Sequence, residues 1–240
     1  MDAANVRVGT AGWTVPAAVR ERFGDAGTHL QRYATRFSCV EINSSFYRPH
    51  RQTTYERWAA SVPENFRFAV KLPKEITHVR RFAECIEPLE RFLDETSALG
   101  EKRAVVLVQL PPSFAFDAAL AATFFASVRE RYGGGLAFEP RHPSWFSVDA
   151  EALLRRFEAA RVAADPAIVP PAEVPGGWGG FAYYRLHGSP RTYYSAYDDT
   201  ALQGIVTRLR AEPRPVWCIF DNTALGAAAG NALHVQRLLR

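Results

Sequence analysis

The chain has 240 residues, of which 48% are hydrophobic, 22% charged and 12% aromatic. That composition belongs to a folded globular chain and excludes intrinsic disorder and collagen-like structure. The length admits one large or two small domains at about 100 to 200 residues each. Lys and Arg outnumber Asp and Glu by 29 to 25 for a net charge of +4. Lysine occurs only at 71, 74 and 102, so the excess is almost wholly arginine, which reads as compositional bias before it reads as a nucleic-acid footprint.

No uncharged apolar run approaches the ~18 residues of a membrane span. The N-terminus MDAANVRVGT has no apolar signal core, so a secretory leader is not expected. Cys39, Cys85 and Cys218 are widely spaced and form no CxxC pair, which argues against a disulfide framework or zinc knuckle and for a reducing compartment. A cytoplasmic protein with no membrane partner is the expectation.

Eight β-rich runs recur along the chain: 6–9, 39–43, 67–71, 104–109, 135–139, 161–165, 181–187 and 216–220. Their ends fall about 30 residues apart, the length of a strand plus a helix in a βα unit. Eight such units predict an α/β fold of the (β/α)8 TIM type, with 1–240 as a single domain. Helix starts are signalled by a Thr53/Glu56 capping box, by Asp117 and by Asp149, each ahead of apolar residues at helical spacing. Between Asp165 and Phe181 the run PAIVPPAEVPGGWGG leaves no room for a full helix after the sixth strand.

Strand parity places the chemistry. If apolar Val40 and Ile42 face a helix layer, Glu41 and Asn43 face the other way, and the same alternation turns Glu139 with Arg141 and Arg185 with His187 inward. Lys71 and Gln109 close their strands similarly, while Asp165 and Asp221 follow the sixth and eighth. Charges facing a barrel interior are costly unless paired or near its mouth, and all of these fall at strand C-termini, where barrel active sites are built. The alternatives are a buried ion-pair plug and a ligand site.

The runs VGTAGW, VEINSSFYRP, FRFAVKLPKEITH, LVQLPPSF, FEPRHPSW, RLHGSPR and FDNTALGAAAGNA, in this order, resemble the YecE-like family, the domain-of-unknown-function family numbered 72. The resemblance implies a TIM-type barrel and supplies no reaction. Its pattern falls on Gly9, Gly12 and Trp13; Glu41, Asn43, Phe46 and Tyr47; Lys71, Thr77 and His78; Gln109 and Pro111; Arg141 and Trp145; Arg185, His187 and Gly188; and Asn222, Gly226, Asn231 and Ala232. The chain departs by carrying Asp221 where similar members read Asn, which adds a carboxylate.

Glu41 and Glu139 form a carboxylate pair of the kind glycosidases use, but Lys71, Arg141 and Arg185 would keep both ionised. His142, His187, Glu41, Glu139, Asp165 and Asp221 offer donors for a divalent metal, which the same cations oppose; no other cofactor is expected. Aromatics at Trp13, Phe46, Tyr47, Trp145, Trp178, Tyr193, Tyr194 and Tyr197 are interleaved with Arg48, Arg51 and Arg191, residue types that stack on a base or sugar. No serine-hydrolase elbow and no dinucleotide or Walker spacing occurs.

The expectation is an enzyme for a small anionic sugar or nucleotide. Glu41, Glu139, His187 and Lys71 are its candidate catalytic groups, and Thr10, Gly12, Trp13, Asn43, Phe46, Tyr47, Gln109, Arg141, His142, Trp145, Asp165, Arg185, Ser189, Asp221 and Asn222 its candidate ligand contacts. An anion site is expected between the seventh and eighth units, with Asn222 or Thr223 capping a helix. The alternative is a barrel that binds nucleic acid or processes phosphodiesters, similar to endonuclease IV-type folds.

Overall fold

The computed structural model describes residues 5–240; the first four residues of the N-terminal stretch read above lie outside them. Parallel strands alternate with helices in a mixed α/β fold. The strands are β1 (Val6–Thr10), β2 (Cys39–Ile42), β3 (Arg67–Lys71), β4 (Arg103–Gln109), β5 (Gly135–Glu139), β6 (Ala159–Arg161), β7 (Ala163–Asp165), β8 (Gly176–Gly177), β9 (Ala182–Leu186) and β10 (Val216–Phe220). The helices are α1 (His29–Ala34), α2 (Ser44–Tyr47), α3 (Gln52–Ala60), α4 (Ile86–Ser97), α5 (Ala118–Arg131), α6 (Val148–Arg156), α7 (Asp199–Ala211) and α8 (Ala227–Leu239). No helix among the described residues is long and apolar enough to cross a membrane.

Two sheets result, one ordered β1-β10-β9-β7 and the other β2-β3-β4-β5-β6-β8. All pairings are parallel except that of β8 with β6. Two stretches of backbone link the sheets. Ala11, just past β1, bridges Glu41 of β2, with the Gly12 amide donating to the Glu41 carbonyl at 2.8 Å. At the other edge β6 and β7 are separated only by Val162, so one run of chain leaves β5 and joins β9.

Side-chain alternation sorts the core into two clusters. Val40, Ile42, Val70, Val106, Val108, Phe138, Tyr184, Leu186, Cys218 and Phe220 pack with the helices. Cys39, Ala69, Leu107, Ala137, Tyr183, Trp217 and Ile219, drawn from both sheets, form a second and smaller cluster on the opposite faces. The period of two in a strand gives this division directly.

Helix starts follow the expected capping motifs only in part. Asp117 caps α5 through the Leu120 amide, as expected. The Thr53/Glu56 box does not form: α3 begins at Gln52, after an extended Arg51, and no side chain caps it. Its first turn is tied laterally, because the Gln52 amide donates to the backbone and carboxylate of Asp94. A capping box does form at Thr28 and Gln31. Ser147, not Asp149, caps α6, leaving Asp149 in the first turn, where its charge suits the dipole. The segment 166–180 holds one 3-10 turn, Pro170–Glu173, and the short β8, so no full helix follows the sixth strand. Gly177 is required in β8: its φ is +64° and a Cβ would sit 2.5 Å from the Ala159 carbonyl oxygen.

Candidate functional site

The strand ends at one edge of the sheets carry a buried ionic cluster centred on Arg185. Tyr184 and Leu186 lie in the helix-side core, so the alternation of β9 turns Arg185 to the opposite face, where it is fully buried. Its guanidinium binds Glu41 from β2 in a bidentate pair, Nε to Oε2 at 3.0 Å and Nη2 to Oε1 at 2.7 Å. Nη1 donates to Glu139 Oε2 at 2.6 Å and Nη2 to Asp221 Oδ2 at 2.9 Å. Such forked contacts suit a planar guanidinium and no ammonium could reproduce them.

His187 completes the arrangement. Its Nε2 lies 2.9 Å from Glu139 Oε1 and its Nδ1 3.0 Å from Asp221 Oδ2. Each ring nitrogen therefore faces a carboxylate, and a neutral imidazole can donate to only one of them. Arg141 closes the outer side, with Nη2 donating to Glu139 Oε1 at 3.1 Å and Nη1 to the Tyr193 hydroxyl at 2.8 Å. Asn43 Nδ2 reaches Asp221 Oδ1 at 3.5 Å. Lys71 is buried at the end of β3, its ammonium 4.2 Å from the centre of the Phe46 ring. Among the described residues it has no salt-bridge partner at contact distance, although the cluster's charges act on it.

Burial pushes the Glu139 carboxyl up, but Arg185, Arg141 and His187 outweigh it and hold the group well below the usual carboxylate range. At Asp221, too, burial opposes ionisation and Arg185 and His187 overcome it, leaving the pKa lowered. Burial also works against the Arg185 charge, yet Glu41, Glu139 and Asp221 raise its pKa well above the ordinary value. Lys71 goes the other way: burial first, then Arg185, bring its pKa to about 8, against the pull of Glu41, Asp221 and Glu139.

The geometry thus brings Glu41, Asn43, Lys71, Phe46, Glu139, Arg141, Arg185, His187 and Asp221 together. Gln109 ends β4 in register with Glu139. A cavity of about 170 Å³ reaches the cluster along Glu139, Arg141 and His187, with Pro166, Ile168 and Thr192 on its far wall.

Other expected contacts lie elsewhere. Trp145 is a core residue: it is fully buried, donates to the Phe114 carbonyl at 2.8 Å and packs on Phe138. His142 caps the 3-10 turn Pro143–Phe146 and pairs with Ser144. Asp165 has helix-side parity and accepts from the Tyr197 hydroxyl; with the exposed Ser189 it lines a separate cavity of about 310 Å³. Asn222 caps nothing. Its amide donates to Ser195 O and Asn231 Oδ1, and α8 starts later, after Gly226 in the left-handed region. The expected anion site is therefore divided: Arg185 and His187 face the ionic cluster, whereas Ser189 faces the separate cavity. Thr10 bonds Gly12 O and the Tyr33 hydroxyl, Gly12 makes the turn at φ +81°, Trp13 packs edge-on against Trp58 and Tyr47 is 68% exposed.

Tyr183 was not among the candidates, yet its hydroxyl donates to Glu41 Oε2 at 2.9 Å. The signal was available: it lies two residues before Arg185 and shares its parity. For a metal, the donors converge on the Arg185 guanidinium, which occupies the point between them, and no group of three or more His, Cys, Asp or Glu side chains among the described residues is arranged to hold one.

These features define a parallel α/β protein with an ordered set of charges at its strand C-termini. The chain belongs to the DUF72 family, described as proteins of unknown function, whose model matches residues 7–240. It is 29% identical over 147 residues to the UPF0759 protein YecE of Escherichia coli strain K12, covering 61% of this chain and 52% of that protein. The corresponding figures for the UPF0759 protein YunF of Bacillus subtilis are 27% over 148 residues, 59% and 52%. The match thus spans about half the length of these curated relatives. Among solved structures, a DUF72 family protein from Thermotoga maritima superposes with a TM-score of 0.77 at 26% identity, covering 98% of each chain. One from Enterococcus faecalis gives 0.80 at 21%, covering 98% of this chain and 95% of that one.

Proposed function

We propose that this chain is an enzyme for a small anionic substrate, acting at the C-terminal mouth of a closed (β/α)8 barrel that forms a single domain. Closure is supported by the Ala11–Glu41 bridge, by the unbroken run from β6 through β7, and by an apolar cluster shared between the two sheets. Three free, buried cysteines suit a cytoplasmic location.

The observation that carries the functional reading is the division of labour among the cations. Arg185 is spent on three carboxylates and organises the cluster, whereas Arg141 retains 21% side-chain exposure at the cavity wall and Lys71 has no contact-distance counter-ion among the described residues. Arg141 holds the anion, and Glu139 with His187 moves protons at the reacting atoms. A pure plug needs no residual cation at its open edge. The test is a thermal-shift screen of phosphates, sugar acids and nucleotides against the wild type and Arg141→Met. The reading requires a shift that the variant loses.

A second reading, nucleic-acid binding, is favoured by the rim: Tyr47 is exposed beside Arg48, and Arg191 lies 3.8 Å over the Tyr194 ring. Backbone binding weakens steeply with salt, which separates it from a buried small-ligand site.

A further inference from the structure

Lys71 is the one buried amine in the cluster, and its surroundings differ from those of an anion clamp. Its position is fixed at both ends. The Ser45 hydroxyl donates to the Lys71 carbonyl at 2.7 Å, and the Phe46 ring underlies the ammonium. Arg185 on β9 repels it, Glu41 on β2, Glu139 on β5 and Asp221 after β10 attract it, and His78, in the turn Glu75–Val79, lies close enough to feel its charge. All three carboxylates are already bonded to Arg185, so none clamps the amine as a fixed ion pair. The residue is 6% exposed, so only a small reagent reaches it.

We propose that Lys71 is a nucleophilic amine that forms an imine with a small carbonyl acid, such as a 2-oxo acid. The proposal rests on the anionic-substrate reading and names the substrate class. The free amine's lone pair attacks the carbonyl carbon, forming a C–N bond while the π pair moves to oxygen. A proton passes from nitrogen to that oxygen by way of the cluster's acid–base groups. The nitrogen's second proton then passes by the same groups to the hydroxyl, the C–O bond breaks, water leaves and the nitrogen lone pair closes the C=N bond; amine plus carbonyl gives imine plus water, with no oxidant or reductant. Arg141 is the counter-charge for the substrate carboxylate. The free amine this needs is accessible near neutrality, since an amine with a pKa of about 8 is unprotonated far more often than an ordinary lysine.

The chain suits a direct test because it has only two other lysines, Lys74, which is exposed, and Lys102, which is tied to the Ala59 and Val62 carbonyls. The full chain is incubated at neutral pH with glyoxylate, the smallest anionic aldehyde, reduced with borohydride and mapped by peptide mass spectrometry. Expected is a carboxymethyl group on Lys71 at least about tenfold more often than on Lys74, lost in Lys71→Arg and kept in Lys74→Arg. Labelling of Lys71 at or below the level of Lys74 overturns the proposal. Faster labelling by neutral acetaldehyde than by glyoxylate overturns the anionic substrate class. Glycolate, which cannot form an imine, is run in parallel by thermal shift: a glycolate shift without trapping sinks the imine and leaves the anion site standing, while neither signal sinks both. Circular dichroism of Lys71→Arg confirms that loss of label is not loss of fold.

Discussion

Arg185 holds together three carboxylates from three different segments, and its loss has a consequence that separates structure from binding. Arg185→Met leaves Glu41 with no counter-ion and only the Tyr183 hydroxyl, and leaves Glu139 and Asp221 to Arg141 and His187 alone; breaking a buried pair in this way costs about 3–5 kcal/mol. Urea unfolding of the variant should show a loss of that size, whereas Arg141→Met, at the partly exposed edge, should lose far less. The cluster also sets the acid response. Folded Glu139 and Asp221 release their protons more readily than unfolded carboxyls near 4.5 and 3.8. Their contribution is therefore complete above that range and disappears as pH falls through the lower folded values. The acid-side drop in the urea midpoint should shrink in Glu139→Gln. Lys71 acts with the same sign in a more alkaline window, for the opposite reason, because here the folded state disfavours the charged form. With its pKa lowered from 10.5 to about 8, the unfolded chain binds more protons between those values, so stability rises with pH across that window by up to about 3 kcal/mol. Lys71→Met should lack the rise. Parity alone was enough to bring Glu41, Lys71, Glu139, Arg141, Arg185 and His187 to one side, because strand alternation is a local property. It could not reveal that Arg185 is consumed by carboxylates, since that depends on how three distant strand ends meet.

At the scale of elements, β1 must approach β2 closely enough to bridge at Ala11 and Glu41, and Gly9 permits it. A Cβ there would lie 2.5 Å from the Cys39 carbonyl oxygen, so Gly9→Ala forces the strands apart beside the cluster. A destabilisation of about 2–4 kcal/mol is expected, with faster exchange of the Gly12 amide, which donates to Glu41 O. Reduced exchange or unchanged stability would contradict the close approach. The strand runs were legible because apolar alternation is strong in sequences such as RFAVK and VWCIF. Helix boundaries were less so. The lateral anchoring of Gln52 by Asp94 and the late start of α8 after Gly226 come from tertiary contacts and a left-handed turn, which no capping motif encodes. Asp165 shows the same limit: its place at the end of the sixth run suggests the mouth, whereas the register of β7 with β9 gives it the parity of Leu186.

For the whole molecule, the proposed account makes the ionic cluster the floor of a ligand site and the loop through Pro166 and Ile168 one wall of its entrance. The missing helix after the sixth strand was readable from its prolines and glycines; the cavity that the loop helps to form was not, because cavities arise from packing between segments far apart in sequence. The most direct test is calorimetric titration of the wild type and Arg141→Met with the anion that ranks highest in the thermal-shift screen, at low and high salt. The account predicts saturable binding by the wild type that changes little with salt, adds about 2.7 kcal/mol of stability at ~100 times the dissociation constant, and is lost in Arg141→Met while the fold persists. Equal binding by the variant, or no heat and no stabilisation from any anion of the screen, would contradict it and leave the cluster as an ion-pair plug.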